Sequence, residues 1–202
     1  MVSLTQVHAY ATDTTDRKVL PVIIGIIAVA IAVAIHSVLT HWRIVIPWFM
    51  DFPSILALYW LLYALWNAVV WRWRVGPWNL SQIPDLSGSW AGSLTSLPEN
   101  RELKCELRIK QTWSAMSLEM RTATSTSWST MAAVFSKGSP HFGVRYEYTN
   151  EPGVLSEPAM QIHKGTAQLR YLPEGNRLKG DYYTGRGRST FGSLEFARVV
   201  AA

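Results

Sequence analysis

The chain has 202 residues, a formal net charge of +5 and one cysteine, and 49% of its residues are hydrophobic against 16% that are charged. Typical soluble domains have about a quarter charged residues, so this composition excludes a disordered chain and a wholly soluble globule. The lone Cys105 excludes an intrachain disulfide scaffold and a multi-cysteine metal site, and the modest charge predicts no DNA or RNA partner.

Two uncharged hydrophobic runs, residues 19–39 and 52–71, follow an N-terminal segment of residues 1–18. Each run has the roughly 20 apolar residues that a helix needs to cross a bilayer of about 30 Å. The short connection between them predicts a hairpin of two transmembrane helices within residues 19–73. A cleaved signal peptide, processed at residues 32–34, is the alternative for the first run, but that run is long for such a role and a second one follows it.

Basic residues flank the hairpin on both sides. Arg17 and Lys18 precede the first run, and Arg72 and Arg74 follow the second. The positive-inside rule therefore predicts that the N-terminal segment and everything after the hairpin are cytoplasmic.

Small residues recur at a spacing of four inside both runs. Ala28 and Ala32 form such a pair in the first run, and Ala64 and Ala68 form one in the second. This spacing lets helices approach closely, which predicts packing contacts in the membrane. Alanine is also common in membrane helices, so chance is the alternative explanation of any one pair.

Residues 74–84 contain two prolines and a glycine and are predicted to form a short, stiff linker. From residue 85 onward apolar and polar residues alternate repeatedly, which predicts β-strands. Eight strands are predicted, at residues 87–97, 102–112, 115–123, 125–135, 142–149, 161–172, 177–184 and 189–199.

Short turns between these strands favour a compact antiparallel up-and-down β-barrel, similar to a lipocalin, over residues 85–202. Closure of the barrel would remove exposed strand edges, and a two-sheet sandwich is the alternative. The predicted fold class is thus a membrane-anchored all-β protein, in which a two-helix transmembrane hairpin precedes an eight-stranded barrel.

The sequence contains no motif of a hydrolase, a phosphate-binding loop, a zinc protease or a dinucleotide-binding fold. The two histidines of the C-terminal part, His141 and His163, have no neighbouring ligands at metal-binding spacing. We therefore predict no catalytic residue, no metal and no cofactor.

The segment that joins the last two strands is the best candidate for ligand binding. We predict a binding set of six residues: Arg186, Arg188, Tyr182, Tyr183, Thr184 and Thr190. Arginine side chains match phosphate oxygens, tyrosine rings can stack on bases, and threonines can supply hydrogen bonds. Alternation puts the two tyrosines on opposite faces, so at most one of them faces the ligand. A solvated turn whose arginines only keep the protein soluble is an equally good reading of the segment.

The order of these parts resembles a bacterial effector family, the two-transmembrane β-barrel effectors of cyclic-oligonucleotide anti-phage signalling (CBASS), also described as SMODS-associated. The local motifs of the resemblance are residues 86–90, Leu-Ser-Gly-Ser-Trp, and the segment from Gly180 through Arg188 to Gly192. It covers nearly the whole chain, from Val19 to Val199.

The resemblance implies a barrel that senses a cyclic dinucleotide, as activating ligand, made on phage infection by a CD-NTase-type nucleotidyltransferase that need not touch the protein. It further implies ligand-induced homo-oligomerisation, disruption of the inner membrane by the helices, and abortive infection. The protein would be a multi-pass protein of the inner membrane, with the lipid bilayer as a partner.

A membrane-anchored, lipocalin-like carrier of a lipid or hydrophobic metabolite is the chief alternative. It predicts a large apolar lumen and no dependence on Arg186 or Arg188. A membrane-tethered hydrolase is a third hypothesis, which no catalytic constellation supports.

Overall fold

The structure is a computed structural model that divides into two compact units, Thr14–Gln82 and Met1–Asp13 with Ile83–Ala202. It describes residues 7–44, 47, 51–97, 100–136, 142–154, 156, 161–185 and 190–199.

The first unit is built on two helices, α1 (Asp16–His41) and α2 (Asp51–Ala68), which contact each other. Within the described residues α1 is the helix with the length and mean hydropathy of a membrane span, and only 11% of its most apolar stretch is buried. It covers the first predicted span. Helix α2 covers most of the second, whose last residues form a 3₁₀ turn, Val70–Arg72.

The predicted linker begins with a two-stranded hairpin, β2 (Arg74–Val75) and β3 (Trp78–Asn79), whose turn contains Gly76 at a φ of +60°. Beyond it, the chain returns to the start of α1. Asp16 accepts hydrogen bonds from the Ser81 hydroxyl at 2.6 Å and from the backbone N–H of Gln82 at 2.7 Å. The two ends of the helical unit are therefore tied together through one carboxylate.

The predicted antiparallel β-structure of the C-terminal part is confirmed, because all eight predicted strands form with ends that differ by a few residues. They are β4 (Gly88–Leu97), β5 (Arg101–Gln111), β6 (Ala115–Thr122), β7 (Ser125–Phe135), β8 (Gly143–Pro152), β9 (His163–Leu172), β10 (Arg177–Thr184) and β11 (Phe191–Arg198). Each strand pairs antiparallel with the next along the chain. Strand β11 pairs with β4, from Phe191 opposite Leu97 to Arg198 opposite Trp90, and this pairing closes the sheet into a barrel.

The barrel contains a strand that the alternation analysis did not predict, β1 (His8–Thr12), inside the segment expected to be a simple N-terminal tail. Strands β6 and β7 pair directly only next to their shared turn, and the pairing of β7 with β8 contains a bulge between Ser129 and Met131. Strand β1 fills the resulting gap, antiparallel to β6 and parallel to β7. Residues 8–12 of the N-terminal segment are thus part of the barrel.

One end of the barrel, where β4 begins and β11 ends, is packed with large side chains. Trp90 is 1% exposed, its Nε1 donates to the Leu86 carbonyl at 3.2 Å, and the Arg198 guanidinium lies 4.9 Å from the centre of its ring. Trp113 and Phe196 are buried as well. These buried side chains close this end of the barrel, which we call the closed end.

Candidate functional site

A pocket occupies the opposite end of the barrel, where β4, β6, β8 and β10 finish. The space that water can occupy inside it is about 70 Å³, and the pocket opens to solvent at its mouth. Leu94, Leu103 and Met120 form its apolar part, and the rest of the lining is made of hydroxyl, amide, imidazole and phenol groups. We call it the open-end pocket. Among the described residues, no aspartate, glutamate, lysine or arginine lines it.

Two tyrosines in this lining lie over glycines of a neighbouring strand. Tyr148 is opposite Gly165 and is 5% exposed, and a Cβ added at that glycine would lie 2.5 Å from the ring carbon Cζ. Tyr182 is opposite Gly192 and is 6% exposed, and a Cβ there would lie 2.9 Å from ring carbon Cε1. The absence of a side chain at each glycine lets a ring lie along the barrel wall.

The wall beneath the pocket is strongly desolvated. Burial raises the pKa of Tyr146 well above its usual range, and its neighbours Tyr148 and Cys105 add to the shift. Burial likewise raises the pKa of Cys105 from 9.0 to about 12, so this thiol stays protonated at neutral pH. Neither group supplies a charge to the lumen.

Most hydroxyls around the mouth of the pocket hydrogen-bond one another. The Thr122 and Ser125 side-chain oxygens lie 3.1 Å apart. On the other side the Thr184 hydroxyl donates to the Thr190 carbonyl at 2.8 Å and accepts from the Thr190 N–H at 3.0 Å. These bonds close the turn between β6 and β7 and the base of the loop between β10 and β11.

A third polar cluster lies deeper, at the end of β8. The Ser127 hydroxyl donates to Oδ1 of Asn150 at 2.8 Å, and both residues are buried. Nδ2 of Asn150 is also buried and has no hydrogen-bond partner among the described residues. His163 is the cross-strand neighbour of Asn150, and its Nδ1 donates to the Gln161 carbonyl at 3.0 Å.

The structure brings three of the six predicted binding residues to the pocket, namely Tyr182, Thr184 and Thr190. Tyr183 is 61% exposed on the outer face of β10 and does not line the pocket, so its role in stacking stays a prediction. Strand alternation is the physical reason, since adjacent residues point to opposite faces. Arg186 and Arg188 lie outside the described residues, in the segment between the two threonines of the rim.

The predicted helix-packing alanines fall on different surfaces. Ala28 is fully buried and Ala32 half-buried, on one stripe of α1. Ala64 and Ala68 are exposed on α2. Of the two pairs, only the first is therefore buried or half-buried within the helical unit.

Four further lining residues, Ser127, Tyr148, Asn150 and His163, were not predicted from the sequence. A usable pattern was present, because Asn150 continues the buried face that runs through Val144 and Tyr148 in β8. A polar residue that continues an apolar face is a candidate for the lining of a lumen. Among the described residues no group of three or more histidine, cysteine or acidic side chains could hold a metal.

Two comparisons with known proteins agree with each other. The model of a family described as "Cap15, cyclic dinucleotide receptor domain" matches residues 81–198, which contain β4 to β11 and the open-end pocket. A relative, CD-NTase-associated protein 15 from Yersinia aleksiciae, is 28% identical over 121 residues. The match covers 59% of this chain and 58% of the relative, so the chain matches less than two thirds of that protein's length.

Proposed function

Because this chain belongs to the family of Cap15 cyclic dinucleotide receptor domains, we propose that its open-end pocket binds a cyclic dinucleotide as the activating signal of a CBASS effector. The observation that carries the proposal is the lining of that pocket. It combines two tyrosine rings held along the wall with hydroxyl and amide groups, and among the described residues it contains no carboxylate. Aromatic faces suit nucleobases, and a lining free of anions does not repel phosphates.

Arg186 and Arg188 bind the phosphates in this proposal. Thr184 and Thr190 line the rim of the pocket, and only the segment with these arginines separates them. A guanidinium presents a planar fork of donors that matches two phosphate oxygens at once. Tyr182 stacks on a base, and the ligand acts as a signal rather than as a cofactor.

The test is calorimetric titration of the full chain in detergent micelles with a panel of cyclic dinucleotides. We expect saturable binding of at least one of them, and a loss of affinity of about tenfold or more in Arg186→Ala or Arg188→Ala. Arg145→Ala, which changes an exposed arginine on the outer face of β8, is the matched control. Absence of binding across the panel would contradict the proposed function. Unchanged affinity in both loop variants would contradict the proposed phosphate contacts.

A lipid-carrying barrel would need a large apolar lumen. The closed end is instead packed by Trp90, Trp113 and Phe196, all of which are buried. Fatty acids in the same titration distinguish the two functions, because saturable binding of a fatty acid without binding of any dinucleotide would favour the carrier.

We further propose that both helices cross the inner membrane. Helix α2 has 18 residues, which span about 27 Å at 1.5 Å per residue, close to the thickness of the hydrocarbon core. Large apolar side chains are exposed on both helices, among them Val22 and Ile26 on α1 and Trp60 and Leu61 on α2. Lipid would cover this surface, which in water would be an unusually large apolar patch.

The bonds from Ser81 and Gln82 to Asp16 support a hairpin whose two ends lie on the same side of the membrane. Together with the flanking basic residues, they favour cytoplasmic N- and C-terminal parts. In that compartment the barrel would meet a dinucleotide made by a CD-NTase-type enzyme, without any need for direct contact with that enzyme.

Ligand binding would then favour an oligomer in which the helices of several copies damage the bilayer. A ligand that binds the associated state more tightly shifts the population towards it, and membrane tethering raises the local concentration of the copies. Ala64 and Ala68 are exposed small residues of α2 that could contact another copy.

Dye release from liposomes that contain the full chain tests this step. We expect a cyclic dinucleotide to trigger release, and Ala64→Phe to reduce release while ligand affinity stays unchanged. Loss of affinity and of dye release together in Ala64→Phe would argue against separate sensing and membrane-damaging parts.

A further inference from the structure

His163 is a residue of the open-end pocket that can acquire a positive charge near neutral pH. It is the first residue of β9 and lines the pocket, and its neighbour across the sheet is the buried Asn150 of β8. A histidine side chain changes its charge between about pH 5 and pH 8. Within the described part of the lining the other side chains are apolar, hydroxyl, amide and phenol groups, which do not become cations.

One hydrogen bond fixes which nitrogen of the His163 ring carries the proton in the neutral form. Nδ1 donates to the Gln161 carbonyl at 3.0 Å, and a carbonyl oxygen can only accept. In the neutral ring Nε2 is therefore an acceptor, and it becomes an N–H donor only when the ring is protonated. A phosphate oxygen is also an acceptor. Neutral His163 consequently has no proton on Nε2 to offer a phosphate, whereas the protonated ring offers a charge-assisted hydrogen bond.

The position of His163 in the barrel favours a phosphate as its partner. The pairing of β9 with β10 continues beyond Thr184, because the Gly185 N–H donates to the Lys164 carbonyl at 2.7 Å. The next residue along the chain is Arg186, the first of the proposed phosphate ligands. Water can occupy about 70 Å³ of the pocket, whereas ligand sites usually enclose about 300–1,000 Å³. Part of a cyclic dinucleotide must therefore stay at the mouth, where β9 begins, and the phosphates are its most strongly hydrated part.

The charges around His163 do not replace a phosphate as the partner of the protonated ring. The charged side chains next to it on β8, β9 and β10 are all exposed, and strand alternation puts them on the outer face: Glu147, Glu151, Lys164 and Asp181. Tyr148 and Tyr182 share the inner face with His163, and phenols are uncharged near neutral pH. The ligand itself therefore brings the negative charge that stabilises the protonated ring.

Resting on the proposed function, we propose that His163 is a phosphate-binding residue of the open-end pocket and that it takes up a proton when the cyclic dinucleotide binds. The bound phosphate favours the charged ring, so binding and protonation support each other. Affinity should accordingly fall as the pH rises through the range in which histidine side chains lose their proton.

The experiment is calorimetric titration of the full chain in detergent micelles with cyclic di-GMP, cyclic di-UMP and cyclic di-AMP. Each titration is run in Tris and in Hepes, whose enthalpies of protonation differ, so the difference in heat gives the number of protons taken up. At about pH 7.5 we expect roughly half a proton or more per bound ligand. The uptake should be similar for every probe that binds, because the probes share their phosphates. Affinity should fall severalfold between about pH 6.5 and about pH 8.

Variants separate a phosphate contact from a structural role of His163. His163→Gln cannot become charged, so it should lose the proton uptake and the pH dependence. His41→Gln changes an exposed histidine at the end of α1 and should keep both. His163→Lys carries a positive charge over the whole pH range. It should bind more tightly than His163→Gln at about pH 8 and take up no proton, which a damaged barrel would not produce.

The outcomes distinguish this inference from the proposed function. Binding to the unaltered chain without proton uptake would overturn the inference and leave the proposed function standing. Uptake that persists in His163→Gln would also overturn it, because another group would then take up the proton. Uptake with some bound probes and not with others would do the same, because the ring would then contact a base. Absence of binding by the unaltered chain would overturn the proposed function and this inference with it.

Discussion

Removal of the Tyr10 ring should lower the free energy of unfolding of the barrel by more than expected for a residue of a short N-terminal strand. Tyr10 is 3% exposed, and its hydroxyl donates to the Trp113 carbonyl at 2.9 Å and to the Thr112 carbonyl at 3.2 Å. Gln111 Nε2 donates to the same hydroxyl at 3.3 Å and to the Pro84 carbonyl at 3.1 Å. The ring therefore joins β1 to the closed end of the barrel.

Large-to-small substitution of a buried aromatic residue costs about 3–5 kcal/mol, so we expect Tyr10→Ala to lower the free energy of unfolding by about 4 kcal/mol. Tyr10→Phe keeps the ring and loses the buried hydrogen bonds, which costs about 1–2 kcal/mol. Tyr183→Ala removes a tyrosine that is 61% exposed and should cost about 1 kcal/mol or less.

The assay is urea unfolding of the full chain in detergent micelles, followed by the near-ultraviolet circular dichroism of the barrel. With a urea dependence of roughly 1.5 kcal/mol per molar, Tyr10→Ala should lower the midpoint by about 2–3 M. A midpoint for Tyr10→Ala no lower than that of Tyr183→Ala would refute the reasoning, since it would mean that β1 adds no stability to the barrel.

Two further predictions concern the wall of the barrel. Gly165→Ala places a methyl group 2.5 Å from the Tyr183 carbonyl oxygen and against the Tyr148 ring. We therefore expect this variant to lower the free energy of unfolding by about 1–3 kcal/mol and to weaken ligand binding. Gly25→Ala in α1 is the control, because its methyl group meets open space and should change neither quantity. A melting curve and a ligand titration check both variants, and unchanged values for Gly165→Ala would contradict the account of the tyrosine wall. Burial raises the pKa of Cys105 from 9.0 to about 12. The contribution of the protonated thiol to the free energy of unfolding should therefore be complete below pH 9 and lost as the pH rises towards 12. The free energy of unfolding should therefore fall more steeply over that range in the unaltered chain than in Cys105→Ala, and identical pH dependence would show that the thiol is not desolvated.

Much of the architecture is readable in short stretches of sequence. The alternation Leu103, Cys105, Leu107 predicts both β5 and the face that it buries, because successive side chains of a strand point to opposite sides. The same rule separates Tyr182 from Tyr183 correctly. The uncharged run of residues 19–39 likewise predicts α1, because length and hydropathy are local properties.

The ligand pocket and the ninth barrel strand could not be predicted in this way. Strand β1 is five residues long and pairs with residues more than a hundred positions away, so no local periodicity marks it. Asn150 reads in sequence as one more polar residue near a turn, and its value as a donor depends on Ser127 of another strand taking its oxygen.

Local alternation and hydropathy thus specify the strands, their buried faces and the apolar helices of this protein, because each depends on neighbours within a few residues. Barrel closure through β11 and β4, the insertion of β1, and the choice of which polar groups remain free in the lumen were decided by pairing between distant strands. Whether a buried polar group has a hydrogen-bond partner depends on residues from distant parts of the chain, so no single segment determines it.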